Sequence, residues 1–299
     1  MRIVVAGGTG FIGGAVVDLL RERGGHELVV TSRDPAARDR WGGQVEVVQA
    51  FAGDRVSLGK AFMRADVVVQ AIQFPNHPVE DPGKGRTYME VDGRGTAVAA
   101  ETARKLGVRR FVYLSGAGAG QGRDKPWFKA KDLAEAAIRE TGMERVLLRP
   151  SWIYGRGDRS MSRFVWFCRH LPVVPVIGDG RTPVYPIHVE DVARCVVESV
   201  VREDAAGREL ELGGERLTMD EVVRAVQRVI GRRRPILHQP AALMKLLTLP
   251  MRVMPEPLLS PGAVDFVTEA VEIDPRPAAE YFGFTPRPLE AGLRAYLAP

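Results

Sequence analysis

Only two of the 299 residues are cysteine, Cys168 and Cys195, far apart and with no C-x-x-C spacing. That scarcity excludes a disulfide framework and a cysteine zinc site, and predicts buried, inert thiols in a reducing compartment. The five histidines (His26, His77, His170, His188, His238) share no ligand spacing, so no metal is expected. No apolar run approaches the roughly 20 residues that a membrane-spanning helix needs. The amino terminus enters an apolar run at once, without a charged leader, which makes the cytoplasm the expected location. The formal charge is +5, yet only Arg232-Arg233-Arg234 forms a basic run. No basic stripe alternates with aromatics, so nucleic acid is not an expected partner.

What the chain does have comes early, in Val4-Val5-Ala6-Gly7-Gly8-Thr9-Gly10-Phe11-Ile12-Gly13. Uninterrupted β-branched residues predict a buried strand, and the pattern from Ala15 to Leu20 predicts a helix. Between them Gly7, Gly10 and Gly13 fall three apart. Strand, glycine turn and helix start make a cradle for a dinucleotide pyrophosphate: glycine lets the backbone approach, and free N–H groups face the anion. Thr9, Phe11 and Ile12 belong to the same loop.

A second strand is expected over 27–31. An acidic residue at its end, about 20 residues past the glycines, would favour NAD by holding the ribose 2′-hydroxyl. Ser32-Arg33 stands there instead. A hydroxyl and a guanidinium suit a 2′-phosphate, which puts NADP(H) ahead of NAD(H); the alternative is a solvated Arg33. Asp34 before Pro35 reads as a helix cap. Further strands are expected over 45–48, 66–72 and 110–115, with helices over 95–106 and 132–140, and a Pro- and Gly-rich loop over 74–86. Strands alternating with helices predict an α/β fold, a doubly wound parallel Rossmann-type sheet. The expected organisation is a core over 1–155 and a smaller C-terminal lobe over 156–299, from which 186–202 returns to pack on the core.

Several segments together resemble the extended and atypical short-chain dehydrogenases/reductases: Gly7 to Gly13, Val91-Asp92-Gly93-Arg94-Gly95-Thr96, Arg110 to Ser115, Leu148-Arg149-Pro150-Ser151-Trp152-Ile153-Tyr154-Gly155, and Pro186 to Ala193. They cover about the first 200 residues in the family's order. That family's usual catalyst is Tyr-x-x-x-Lys; here Lys131 is kept and Trp127 stands in the tyrosine's place. An indole N–H cannot exchange a proton near neutral pH. Ser115 falls one place before the customary serine, and Asp92 stands where many relatives have Asn. The missing tyrosine looks most like the branch of the complex I 39 kDa subunit and the NmrA-type sensors.

The resemblance implies an oxidoreductase whose hydride comes from the nicotinamide, or else a non-catalytic NADP(H)-binding sensor, assembly or structural protein. Ala71, Ile72 and Gln73 would pass near the nicotinamide ribose, Lys131 would bind its diol, and Ile153 would pack at the carboxamide end. Tyr154, Ser115 and Asp92 are the expected proton donors, in that order. The substrate is expected to be a small molecule. The Met-rich apolar stretch 241–255 reads as core, as the lining of a hydrophobic pocket, or as a lipid- or partner-facing patch.

Overall fold

The computed structural model describes residues 1–250 and 259–297. The apolar run forms β1 (Arg2–Ala6), and the glycine turn leads into α1 (Phe11–Arg23). Strand β2 (Glu27–Ser32) ends at Asp34, whose Oδ1 accepts from Ala36 N at 2.9 Å and caps a 3-10 turn, Pro35–Trp41. After β3 (Glu46–Gln49), Asp54 caps α2 (Arg55–Phe62), and β4 (Val67–Gln70) follows. A wide π-helical turn, Tyr88–Arg94, then runs directly into α3 (Gly95–Lys105). That turn had no sequence signal of its own. Beyond β5 (Arg110–Leu114) comes α4 (Pro126–Glu140), then β6 (Glu144–Pro150). Helix α4 starts six residues before the expected 132, because Pro126 occupies a first-turn position where its missing N–H costs nothing. Trp127 and Lys131 therefore lie one turn apart on one helical face.

The rest of the chain supplies β7 (Ile153–Tyr154), α5 (Ser160–His170), β8 (Val174–Ile177), β9 (Pro183–Val184), β10 (Ile187–His188), α6 (Val189–Val201) and β11 (Glu209–Leu212). Then come β12 (Leu217–Thr218), α7 (Met219–Ile230), β13 (Ile236–Gln239), α8 (Ala241–Thr248), α9 (Pro261–Thr268), α10 (Arg276–Phe282) and α11 (Leu289–Leu297).

Seven strands form one parallel sheet in the order β3-β2-β1-β4-β5-β6-β11. The period of two decides what each face holds. Ile3, Val5, Val67 and Val112 pack with Val16, Val17 and Leu20 of α1 and with Val192, Val196 and Val200 of α6. Val4, Val68, Phe111 and Tyr113 pack on the other face with Leu58 and Phe62 of α2, Ala99 and Ala103 of α3 and Ala134 and Ile138 of α4. Arg110, buried at the start of β5, donates to the carbonyls of Ser199, Val200 and Arg202 and to Glu144, so one guanidinium closes the C-terminal end of α6. Chain order reverses between β1 and β4, and the crevice beyond their C-terminal ends is where a doubly wound sheet takes its ligand.

Helices α5, α7 and α11 enclose a separate core around Tyr154, Met161, Val165, Val222, Val226 and Leu293. Helix α8 corrects the reading of 241–255 as core: Leu243, Leu246 and Leu247 are 49%, 62% and 54% exposed. Residues 251–255 of that stretch lie outside the described residues. Among the described residues no helix is long and apolar enough to cross a membrane.

Candidate functional site

The glycine turn closes on itself. Gly7 holds φ +81°, the left-handed region, and a Cβ there would stand 2.9 Å from Ala71 O. A Cβ on Gly13 would overlap the Gly7 carbonyl and come within 2.8 Å of its carbon and 2.9 Å of Gly8 Cα. Gly10 caps α1 with no side chain, which leaves the first-turn N–H groups facing the crevice mouth. This is a cradle that side chains would fill and an anion can enter, so the residues fit a pyrophosphate.

Strand β2 braces the cradle. Gly7 N donates to Thr31 Oγ1 at 3.1 Å, and Thr9 Oγ1 donates to Ser32 Oγ at 3.3 Å. Ser32 also accepts from Asp34 N. Arg33 is exposed, and its guanidinium makes no hydrogen bond or ion pair among the described residues. A residue that sequence reasoning missed joins it. Arg40 donates to Thr9 O at 2.9 Å, lies 4.7 Å over the Trp41 ring and reaches Asp18 at 3.9 Å. It comes from the 3-10 turn, and only the fold brings it over the loop. A guanidinium one short helical segment after the Ser32-Arg33 pair was the available signal.

On the other side of the switch point, Ala71 N extends the ladder to Ala6 O at 2.9 Å, while Ile72 packs on the α2–α4 face and Gln73 is exposed. Ile12 and Ile153 lie partly buried against the α1–α6 face. Phe11 is partly buried, at 3.9 Å from where a Cβ on Gly157 would stand.

Lys131 Nζ lies 3.0 Å from Asp92 Oδ1 and 5.3 Å from the centre of the Tyr113 ring. Asp92 comes from the π-helical turn and is fully buried. Burial pushes its carboxyl pKa up, and the Lys131 charge opposes that rise. Beside the pair, Gln70 Oε1 and Tyr88 Oη are buried without a hydrogen-bond partner. Such atoms are expensive to leave unpaired, and they gather where a wide helical turn often marks a functional site.

Two of the expected proton donors are engaged elsewhere in the fold. The Tyr154 ring is fully buried, stands 5.3 Å from the His188 ring, and presses its phenol against α11: a Cβ on Gly292 would come within 2.8 Å of its Cζ. It packs into the core enclosed by α5, α7 and α11. Ser115 donates its hydroxyl to Glu135 Oε1 at 2.7 Å, and Glu135 also accepts from Arg149 and Arg139. Its proton belongs to a structural network. Trp127 packs into an aromatic cluster with Phe74, Tyr88, Phe128 and Phe266.

The family model described as NAD(P)H-binding matches residues 7–203. Among curated proteins, the chain is 28% identical over 221 residues to the mitochondrial NADH dehydrogenase (ubiquinone) 1 alpha subcomplex subunit 9 of Mus musculus, covering 70% of this chain and 56% of that one. The chain thus spans little over half the length of that relative. It is 29% identical over 244 residues to a ceramide reductase of Caulobacter vibrioides, covering 80% and 73%. Among solved structures, the UDP-glucose 4-epimerase of Thermus thermophilus in complex with NAD superposes with a TM-score of 0.74 at 22% identity, covering 98% and 97%. The fold and the two kinds of relative agree with the atypical short-chain dehydrogenase/reductase resemblance. With more than half its length matched by that model, the chain belongs to the NAD(P)H-binding family.

Proposed function

We propose that the protein is an NADP(H)-dependent oxidoreductase that works without the family's tyrosine. The observation that carries the phosphate-bearing cofactor is Arg40, held against the glycine turn at Thr9 O, together with the exposed Arg33 that follows Ser32 in the chain. Gly7, Thr9, Gly10, Phe11, Ile12 and Gly13 would hold the pyrophosphate, and Ser32, Arg33 and Arg40 the 2′-phosphate. Ala71, Ile72, Gln73, Lys131 and Ile153 would bound the nicotinamide half. When bound, the reduced nicotinamide supplies the hydride. Lys131, which would bind the ribose diol, carries its proton on Nζ against Asp92 Oδ1, beside the unpartnered polar atoms. That reductases occur among the curated relatives supports hydride chemistry.

Replacing either arginine by alanine should weaken NADPH by about tenfold or more, the worth of one charge-assisted contact, and leave NADH unchanged. Calorimetry with both nucleotides checks it. Equal losses for the two would remove the assignment of the 2′-phosphate.

A second reading, a protein that holds NADP(H) without turnover, is favoured by the packing of Trp127 into the aromatic cluster beside Lys131. The two separate when NADPH absorbance is followed with a panel of quinones, enones and imines. Consumption with any acceptor is the expected result. Tight binding with no consumption across the panel would favour the holder.

A further inference from the structure

Phe266 sits where two parts of the chain meet. Its ring centre is 4.8 Å from His77, 5.2 Å from Trp127 and 6.2 Å from Tyr88. Phe74 and Tyr88 meet edge to face at 4.9 Å behind them. All the other rings come from the loop after β4, the π-helical turn and α4; Phe266 alone comes from α9. It is also partly exposed, while Phe74, Tyr88 and Trp127 are buried. The geometry points to a chamber for an uncharged, apolar carbonyl compound beside Lys131, with Phe266 as its removable plug. This deepens the oxidoreductase reading by naming a substrate class, and rests on that reading for the ligand's fate but not for its binding.

The chemistry of the walls selects the class. Tyr88 is 4% exposed, and its hydroxyl has no partner although its ring is surrounded by the cluster. An unpaired buried O–H costs about 1–3 kcal/mol, so a ligand that brings an acceptor oxygen is rewarded. A carboxylate or diphosphate is not. His77 is kept neutral, burial first and the Lys131 charge second pushing its pKa down to about 3, and Lys131 is already paired with Asp92. Among the described residues no unpaired cation stands in these walls. The plug itself is lightly held. Around it the ion pairs Lys245–Asp265 and Lys125–Asp265 lie near the surface, where each contributes about 0–1 kcal/mol. Helix α8, packed on α9, exposes Leu243, Leu246 and Leu247, so the element that carries the plug has an apolar neighbour.

The test is calorimetric titration of the full chain with benzylideneacetone, an uncharged aryl enone, and separately with UDP-glucose, each with and without NADPH. Phe266→Ala should bind the enone at least about tenfold more tightly than wild type, because the ligand no longer displaces a ring. Phe266→Leu, which keeps an apolar contact on α9, should fall between them. Tyr88→Phe removes an atom that bonds to nothing, so thermal stability should hold while enone affinity drops by up to about tenfold. Enone affinity that is equal or weaker in both Phe266 variants overturns the plug. An unchanged affinity in Tyr88→Phe, or UDP-glucose binding more tightly than the enone, overturns the ligand class. Enone binding that follows this pattern in protein that takes up no NADPH would leave the chamber standing and remove the oxidoreductase reading instead.

Discussion

Gly13→Ala is expected to lower NADPH affinity by a hundredfold or more, about 2.7 kcal/mol, while the protein still folds. The new Cβ meets the backbone of Gly7 and Gly8 rather than the end of a flexible side chain. Nothing in its path can rotate away, so the turn must open or α1 must slide. Either movement re-aims the first-turn N–H groups at the anion site. Overpacking of this kind costs about 1–3 kcal/mol of stability, which a thermal melt would read beside the calorimetry. Gly59→Ala in α2 is the matched control. A Cβ there meets nothing within 4 Å, and exchanging a helical glycine should add about 0.5–1 kcal/mol. Wild-type affinity in Gly13→Ala would mean that no pyrophosphate lies against this turn.

The largest expected loss of stability lies elsewhere, at Glu135. Its carboxylate is fully buried and accepts from Ser115, from both Nε and a terminal nitrogen of Arg149, and from Arg139. Glu135→Ala leaves Arg149, whose side chain is 14% exposed, with Glu209 alone, and removes the partner of a buried hydroxyl. Breaking a buried pair from one side costs about 3–5 kcal/mol, and the urea midpoint should fall accordingly. The pair also sets a pH dependence. Burial pushes the Glu135 pKa up, but the hydrogen bonds from Arg149 and Ser115 outweigh it and hold the group below its ordinary value of 4.5. A carboxylate with a depressed folded pKa contributes fully above the unfolded value and loses that contribution as pH falls through the folded one. The wild-type midpoint should therefore drop below about pH 4.5, and Glu135→Gln should show a shallower fall. Parallel acid profiles would show that the network carries none of the acid sensitivity.

What the sequence disclosed follows the range of the forces involved. The apolar run before Gly7 and the cap at Asp34 depend on neighbours a few residues away, and the structure has both of them. The parallel order of the sheet was legible from alternation of strand and helix. The partners of polar side chains were not. Asp92 finds Lys131 across 39 positions, and Glu135 gathers Ser115 from just past β5, Arg149 from β6 and Arg139 from its own helix. Tyr154 sits in a motif that looks catalytic, but the register Ile153–Ile187 and His188–Tyr154 turns its ring into the small lobe. Phe266 had no local mark at all, because an aromatic residue becomes a plug only when another element supplies the hole.

The buried Arg110 sets a condition on the order in which this molecule matures. Its acceptors, the carbonyls of 199, 200 and 202, are made almost a hundred residues after it, as are α6 and the outermost strand β11. A nascent chain that has emerged only through β6 carries six strands and α1 but lacks α6, so that face is only partly covered and Arg110 is without its carbonyl partners. Such a half-made layer gains its lid only when the ribosome has delivered the excursion through the small lobe and back. The last cover of that face and the partners of Arg110 thus come late in synthesis, although the glycines of the turn are among the first residues made.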